Sequence, residues 1–293
     1  MKSLTEKRTL RQVYNSSYYL FFKDAFKVLE PETVLLDNWH IEYLCNILQE
    51  ETERIARKEP KTSDIVINIP PRSLKSKIVT IIWNAWIWTY MKIISSSYGY
   101  DLSILHALDT RRLIESEWYQ SLFGHMFKLE SDQNVKSRFQ NDKKGERRST
   151  SVGGSITGEG ADIAQVDDPT KVQESNSKLS LDTANEWWTK TMYSRLNDQE
   201  IGLRVVIMQR LNENDLTGYI IKNKLNYRII CLPAEENNSI QPIELKEKYV
   251  DHLLFPNRFS LKTLQETRKV LGSLAYAGQY LQQPAPAEGN MIK

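Results

Sequence analysis

The sequence predicts an α/β fold: an open, mostly parallel sheet flanked by helices, with a small helical part towards its C-terminus. Three observations carry this expectation. Short apolar runs at 64–69, 91–96, 161–166, 203–208 and 227–232 have the length and the β-branched content of buried strands. Stretches with helical spacing separate them, and strand, helix, strand order implies right-handed parallel crossovers. Several runs end in polar residues, at the strand ends where open α/β sheets hold ligands.

A chain of 293 residues suffices for one large α/β domain or a domain with a small appendage. Its 39 basic and 37 acidic residues give no global polyanion signal, so any DNA contact must come from local patches. Cys45 and Cys231 both lie in apolar stretches, which points away from a disulfide framework and towards a reducing compartment. The first eight residues lack the apolar core of a signal peptide, and the apolar run 78–91 is too short to span a bilayer; a cytoplasmic protein with no membrane partner is expected.

Taken in order, 5–29 reads as one amphipathic helix with Tyr14, Tyr18, Tyr19, Phe21, Phe22 and Phe26. A second helix starts near Asn38, with Ile41, Leu44, Cys45 and Leu48 at helical spacing. Strand 64–69 enters a loop, a Trp-rich helix runs to about Tyr90, and strand 91–96 follows. Residues 102–123 read as a helix, and 131–160 as an exposed polar loop or hairpin. Strands 161–166 and 203–208 flank a helix at 183–196, and strand 227–232 precedes a mostly helical tail. The expected division is 1–60, 61–232 and 233–293: an N-terminal helical region, an α/β core, and a lid or linker.

The chemistry concentrates at three strand ends. After the first strand, Pro70-Pro71-Arg72-Ser73-Leu74-Lys75-Ser76 matches the end of the phosphate-loop pattern G-x-x-x-x-G-K-[ST], with Ile69 and Leu74 standing where glycines are usual. In such a loop, backbone N–H groups cradle phosphates, the Lys neutralises them and the hydroxyl binds Mg²⁺. The two prolines fix φ and pre-form the turn. The third strand ends in Asp167-Asp168, one side chain facing a metal and the other the attacking water, or else forming a surface turn. The next ends in Gln209-Arg210, which can sense a terminal phosphate or simply solvate a strand end. Trp39 and His40 either stack on adenine or pack and cap a helix. Arg147 and Arg148 are finger or DNA-phosphate candidates or a solvated turn balanced by Glu146, and Arg111 and Arg112 compete for the finger role. Trp83, Trp86 and Trp88 read as core, Trp187-Trp188 is open between core and surface, and His106, His125 and His252 lack zinc spacing.

In their order, these fragments resemble the large terminase subunits of tailed bacteriophages, the ATPases that pump DNA into capsids. In that family the loop often reads Pro-Pro-Arg-x-x-Lys-Ser. Asn38-Trp39-His40, Ser96-Ser97-Tyr98, Arg112, Trp118-Tyr119, Gly158 to Asp162 with Asp167-Asp168-Pro169, Gln209-Arg210-Leu211 with Asp215 to Gly218, and Tyr280 to Pro284 resemble its other blocks. The resemblance implies a P-loop NTPase core of the RecA/ASCE-like kind. It implies ATP and Mg²⁺ as cofactors: Pro71, Arg72, Ser73, Leu74, Lys75, Ser76 and Lys77, with Trp39, His40 and Gln209, around the nucleotide; Ser76 and Asp167 on the metal; Asp168 on the water, where many relatives use Glu; Arg72 near the γ-phosphate; and Arg148, Arg147 or Arg112 as finger. It further implies double-stranded DNA, a homo-oligomeric ring on a capsid portal and a small terminase subunit as partners, in the cytoplasm of an infected bacterium. The family's nuclease domain usually follows a segment like 283–293, so an ATPase without nuclease activity is expected here. Two other readings are a nucleotide-binding regulatory subunit without turnover and a helicase-like ATPase.

Overall fold

The computed structural model describes residues 3–130, 135–156 and 158–285. Two helices replace the single one expected at 5–29: α1 (Leu4–Ser16) and α2 (Tyr18–Leu29). Ser17 is the reason. Its backbone is extended and its hydroxyl accepts from the Leu20 N–H, a cap of about 1 kcal/mol that restarts the helix at a new angle. After α3 (Trp39–Ala56) and β1 (Asp64–Asn68), the helix beyond the loop begins as a π turn, Lys77–Ile82, and continues as α4 (Trp83–Ile87). Next come β2 (Lys92–Ser97), α5 (Tyr100–Glu115) and α6 (Glu117–Phe123); Ser116 splits the helix expected at 102–123 by capping Tyr119 as Ser17 caps Leu20.

The segment expected as an exposed polar loop or hairpin is a hairpin, β3 (Arg138–Gln140) antiparallel to β4 (Glu146–Ser151), but it is not exposed: its second strand joins the parallel sheet beside β2. Residues 131–134 and 157 of that segment lie outside the described residues. The sequence of β4, Glu-Arg-Arg-Ser-Thr-Ser, has no apolar side chain, so hydrophobic patterning could not reveal it. Ladder hydrogen bonds and the ion pairs Arg138–Glu146 and Arg148–Glu159 accommodate its polar groups instead, Arg147 Nε excepted. The rest follows as β5 (Ile163–Asp167), α7 (Lys178–Glu186) with a π turn to Met192, β6 (Leu203–Met208), α8 (Leu216–Lys222), β7 (Tyr227–Cys231), α9 (Leu261–Leu271) and α10 (Ser273–Gln279).

The strand order is β3-β4-β2-β5-β6-β1-β7, parallel throughout except at the β3–β4 edge. β1 and β2 are parallel but not adjacent, because β6 and β5 lie between them. Side chains alternate between two cores. Ile65, Ile67, Val205 and Ile207 face a large cluster with Phe21, Trp83 and Tyr119, whereas Val66, Val206 and Met208 face a smaller one with Trp187, Trp188, Leu216 and Ile220. Trp187 and Trp188 are therefore core. Each buried aromatic or branched side chain of this kind contributes roughly 1.5–3 kcal/mol, so the loops at the strand ends sit on a stiff platform.

This topology decides where the site lies. The carboxyl ends of β1, β6 and β5 are adjacent, so the loop after β1, Gln209 after β6 and the acid pair at the end of β5 meet at one edge. Cys45 and Cys231 are free and buried. Among the described residues, no helix is long and apolar enough to cross a membrane.

Candidate functional site

The loop that lacks glycine adopts glycine's backbone. Arg72 and Leu74 have φ of 65° and 66°, in the left-handed region where a non-glycine residue costs of order 1 kcal/mol. The surroundings hold that conformation. Ser73 Oγ donates to the Pro70 carbonyl at 2.6 Å, closing the turn that the prolines begin. His40 Nε2–H donates to the Ser73 carbonyl at 3.1 Å, while its Nδ1 accepts from the Asn38 amide at 2.6 Å. Burial pushes the His40 pKa down to about 4, against the smaller opposing effect of the Ser73 carbonyl, so the ring is neutral and its tautomer follows from these two bonds. Leu74 packs partly against the large core.

At the end of β5 the two carboxylates separate. Asp167, 1% exposed, turns beneath the loop, where the Thr80 hydroxyl hydrogen-bonds to it at 2.9 Å and the Ser76 side chain lies close enough to favour its charged form. His106 Nδ1 stands 3.8 Å from the same carboxylate oxygen. The other oxygen, Oδ1, has no hydrogen-bond partner among the described residues. Asp168 takes a left-handed backbone, φ 46°, which directs its side chain to the open edge. There Oδ2 pairs with Lys75 Nζ at 2.8 Å and Oδ1 accepts from the Gln209 N–H at 3.1 Å. Burial raises the pKa of both acids, and Lys75 opposes the shift in each. Gln209 is buried with Oε1 unpartnered, and Arg210 shares its Nε–H between the two Asp215 oxygens, each at 2.9 Å.

A cleft of about 440 Å³ opens over these groups. Pro71, Arg72, Leu74, Lys75, Ser76, Lys77, Asp168 and Gln209 line its polar side. Lys77 is held by Glu30 at 2.7 Å and Asp109 at 2.9 Å; burial lowers its pKa, but the two carboxylates outweigh it and the net shift is upward. The opposite wall was not anticipated: Phe26, the run Thr33 to Leu36, Phe255 and Arg258. One signal was available in the sequence, the apolar run Val34-Leu35-Leu36 just ahead of the helix expected from Asn38; in the structure Val34 is 83% exposed.

Three expectations change. The His40 ring is fully buried behind the loop, so it supports Ser73 and cannot stack on a base in the cleft. Trp39 packs against Tyr43 and Tyr249, outside the cleft lining. Arg147 is fully buried within β4, bonded to Ser149 Oγ at 2.6 Å and 3.5 Å from the Thr80 carbonyl, and cannot reach a neighbouring molecule. Arg148 and Arg112 remain accessible, paired with Glu159 and Asp109 respectively.

No protein-family model matches this sequence, and no curated protein does. Solved structures do resemble it. The large terminase of bacteriophage HK97 superposes with a TM-score of 0.54 at 13% identity over 92% of this chain. A mutant ATPase domain of the large terminase of Thermus phage P74-26 superposes with a TM-score of 0.50 at 10% identity, covering 79% of this chain and 93% of that domain. The chain spans about half the length of the HK97 protein, 55%. Its seven-stranded sheet and flanking helices thus have the fold of the ATPase region of phage large terminases.

Proposed function

We propose that this chain is the ATPase motor of a phage large terminase, hydrolysing ATP with Mg²⁺ to drive double-stranded DNA into a procapsid. The observation that carries the reading is the Lys75–Asp168 ion pair in the cleft, with Ser76 in the same lining and Asp167 buried beside it. In this reading residues from 233 onward form a lid and linker. The motor works as a ring on the portal beside a small terminase subunit, with Arg148 or Arg112 as the finger offered to a neighbour.

The donor set suits Mg²⁺, a hard cation that prefers oxygen and is usually held by one or two carboxylates together with substrate phosphates. Asp167 Oδ1 and Gln209 Oε1 are buried oxygens in want of a partner, and among the described residues no group of three His, Cys, Asp or Glu forms a cage by itself. Ser76 and Asp167 would hold the ion. When bound, it neutralises charge on the phosphates and polarises the phosphorus under attack.

The remaining steps belong to the chain's own residues. Lys75 Nζ would leave Asp168 for the β and γ phosphates, which are more highly charged. Asp168, released, keeps its Gln209 N–H contact and turns Oδ2 to the attacking water, orienting it and drawing on its proton. A carboxyl whose pKa burial has raised is a stronger base than a solvated one, which suits this task. Gln209 stands beside Asp168 and continues into Arg210–Asp215, the cap of α8, so a change at the phosphate has a short covalent route to a helix.

The test is Mg²⁺-dependent ATP hydrolysis by the wild type, Lys75→Ala and Asp168→Ala, with the chain assembled on DNA. Turnover in the wild type and loss of at least about 10²-fold in both variants is expected. Activity retained by both variants would sink the assignment, and saturable ATP binding without turnover would favour a regulatory subunit.

A further inference from the structure

The helix after the loop carries one polar stripe in an otherwise apolar sequence. Thr80 and Asn84, four residues apart, are fully buried among isoleucines and tryptophans and meet β5. Thr80 Oγ1 lies 2.9 Å from Asp167 Oδ2 and 2.9 Å from the Ser76 carbonyl. Asn84 and Gln165 exchange amide hydrogen bonds at 2.8 and 3.2 Å, and Gln165 Nε2 also reaches the Val79 carbonyl at 3.2 Å. The Thr80 carbonyl accepts from Asn84 Nδ2 at 2.9 Å, with Arg147 Nη2 at 3.5 Å.

Two features say that this is more than packing. The residues Lys77–Ile82 form a π turn, a distortion that costs helix stability and is found mostly at functional sites. Buried amides and hydroxyls are also less stabilising than apolar side chains of the same shape, but fully connected they fix one arrangement. The arrangement fixed here is the height of the phosphate loop against the acid strand. A hydroxyl has a single proton, so Thr80 can satisfy Asp167 or the Ser76 carbonyl, not both at once.

We propose that Thr80 is a positioning residue for the metal carboxylate: its hydroxyl occupies Asp167 Oδ2 and leaves Oδ1 as the ligand atom, while Asn84, Gln165 and Arg147 hold the π turn in register. The proposal rests on the nucleotide-site reading above.

Equilibrium binding of a fluorescent ATP analogue, measured in Mg²⁺ and in EDTA, tests it. Thr80→Val keeps the shape and removes the hydroxyl. It is expected to weaken binding in Mg²⁺ about 10- to 100-fold, the usual effect of removing a group that orients a metal ligand, and to leave affinity in EDTA within about twofold. Thr80→Ser is expected to restore the Mg²⁺-dependent affinity. Thr80→Ala must show the same split should the valine variant fail to fold. Unchanged affinity in Mg²⁺, or an equal loss in both conditions, overturns the positioning role. A wild type that binds the analogue in neither condition overturns the nucleotide site itself, and this inference with it.

Discussion

Strands β5 and β4 lie on either side of β2, and each buries a charge with an atom left unpartnered, yet the two charges sit in different places. Asp167 is the last residue of its strand, at the edge where Lys75, Ser76 and Thr80 converge. Arg147 is the second residue of its strand, enclosed on every side, with no carboxylate within ion-pair distance among the described residues and its pKa pushed down to about 9 by burial alone. A buried charge at the carboxyl end of a parallel strand has a route to a ligand; one within the strand does not. The first is therefore read as part of a site, the second as scaffold.

That contrast can be broken experimentally. The largest effect expected is at Asp167: Asp167→Asn should lower Mg²⁺-dependent hydrolysis by about 10²-fold or more. It should also raise the urea midpoint of the ligand-free protein at pH 7. The sign follows from the raised pKa of this carboxyl: its contribution to stability is present below the unfolded value and lost as pH rises through the folded one, and asparagine escapes that loss. A fall in both quantities would make Asp167 a structural residue.

His40 tests how firmly the loop is held. Its pKa is depressed from 6.5 to about 4, chiefly by burial, so stability present above pH 6.5 is lost as pH falls towards 4, when the unfolded chain takes a proton that the fold refuses. Between pH 7.5 and pH 5 this amounts to about 2 kcal/mol. Wild type should lose about that much more than His40→Gln in urea unfolding over this interval, since the other titrating groups act alike in both. Equal losses would mean that the ring is not shielded behind Ser73.

Smaller still is the effect at Arg147. Replacement of an unpaired buried cation by an apolar chain of similar length is often neutral or stabilising, so Arg147→Met should stay within about 1 kcal/mol of wild type by denaturant unfolding. A loss of several kcal/mol would reveal an anionic partner. At Leu74, relief of the left-handed backbone by Leu74→Gly is offset by the greater freedom of the unfolded chain, and the net change should be within about 0.5 kcal/mol. A β-branched residue there, Leu74→Val, should cost more than glycine does, by the same measurement.

The same contrast explains what could be read in advance. The loop, the acid pair and Gln209 each follow a short apolar strand, so local pattern placed them, and parallel topology alone then brought them to one edge. β4 could not be read because its six residues are polar and its place in the sheet is set by pairing with Lys92–Ser97. Ser17 and Ser116 cap helices that periodicity had run together, because apolar spacing continues across the break. The role of His40 depends on Asn38, Ser73 and Phe255, which meet only in the folded chain. The opposite wall of the cleft combines Thr33 to Leu36 with Phe255 and Arg258, far apart in sequence, and no local motif joins them.

The central claim is that Lys75 exchanges Asp168 for phosphate, and Asp168→Asn separates binding from turnover most directly. Measured by equilibrium titration with Mg²⁺ and ATP alongside hydrolysis, Asp168→Asn should bind ATP at least as tightly as wild type, because Lys75 no longer has to leave a carboxylate, and should hydrolyse it at least about 10²-fold more slowly. Lys75→Ala should lose both. An Asp168→Asn variant that turns ATP over at the wild-type rate, or that loses ATP binding together with Lys75→Ala, would contradict the exchange.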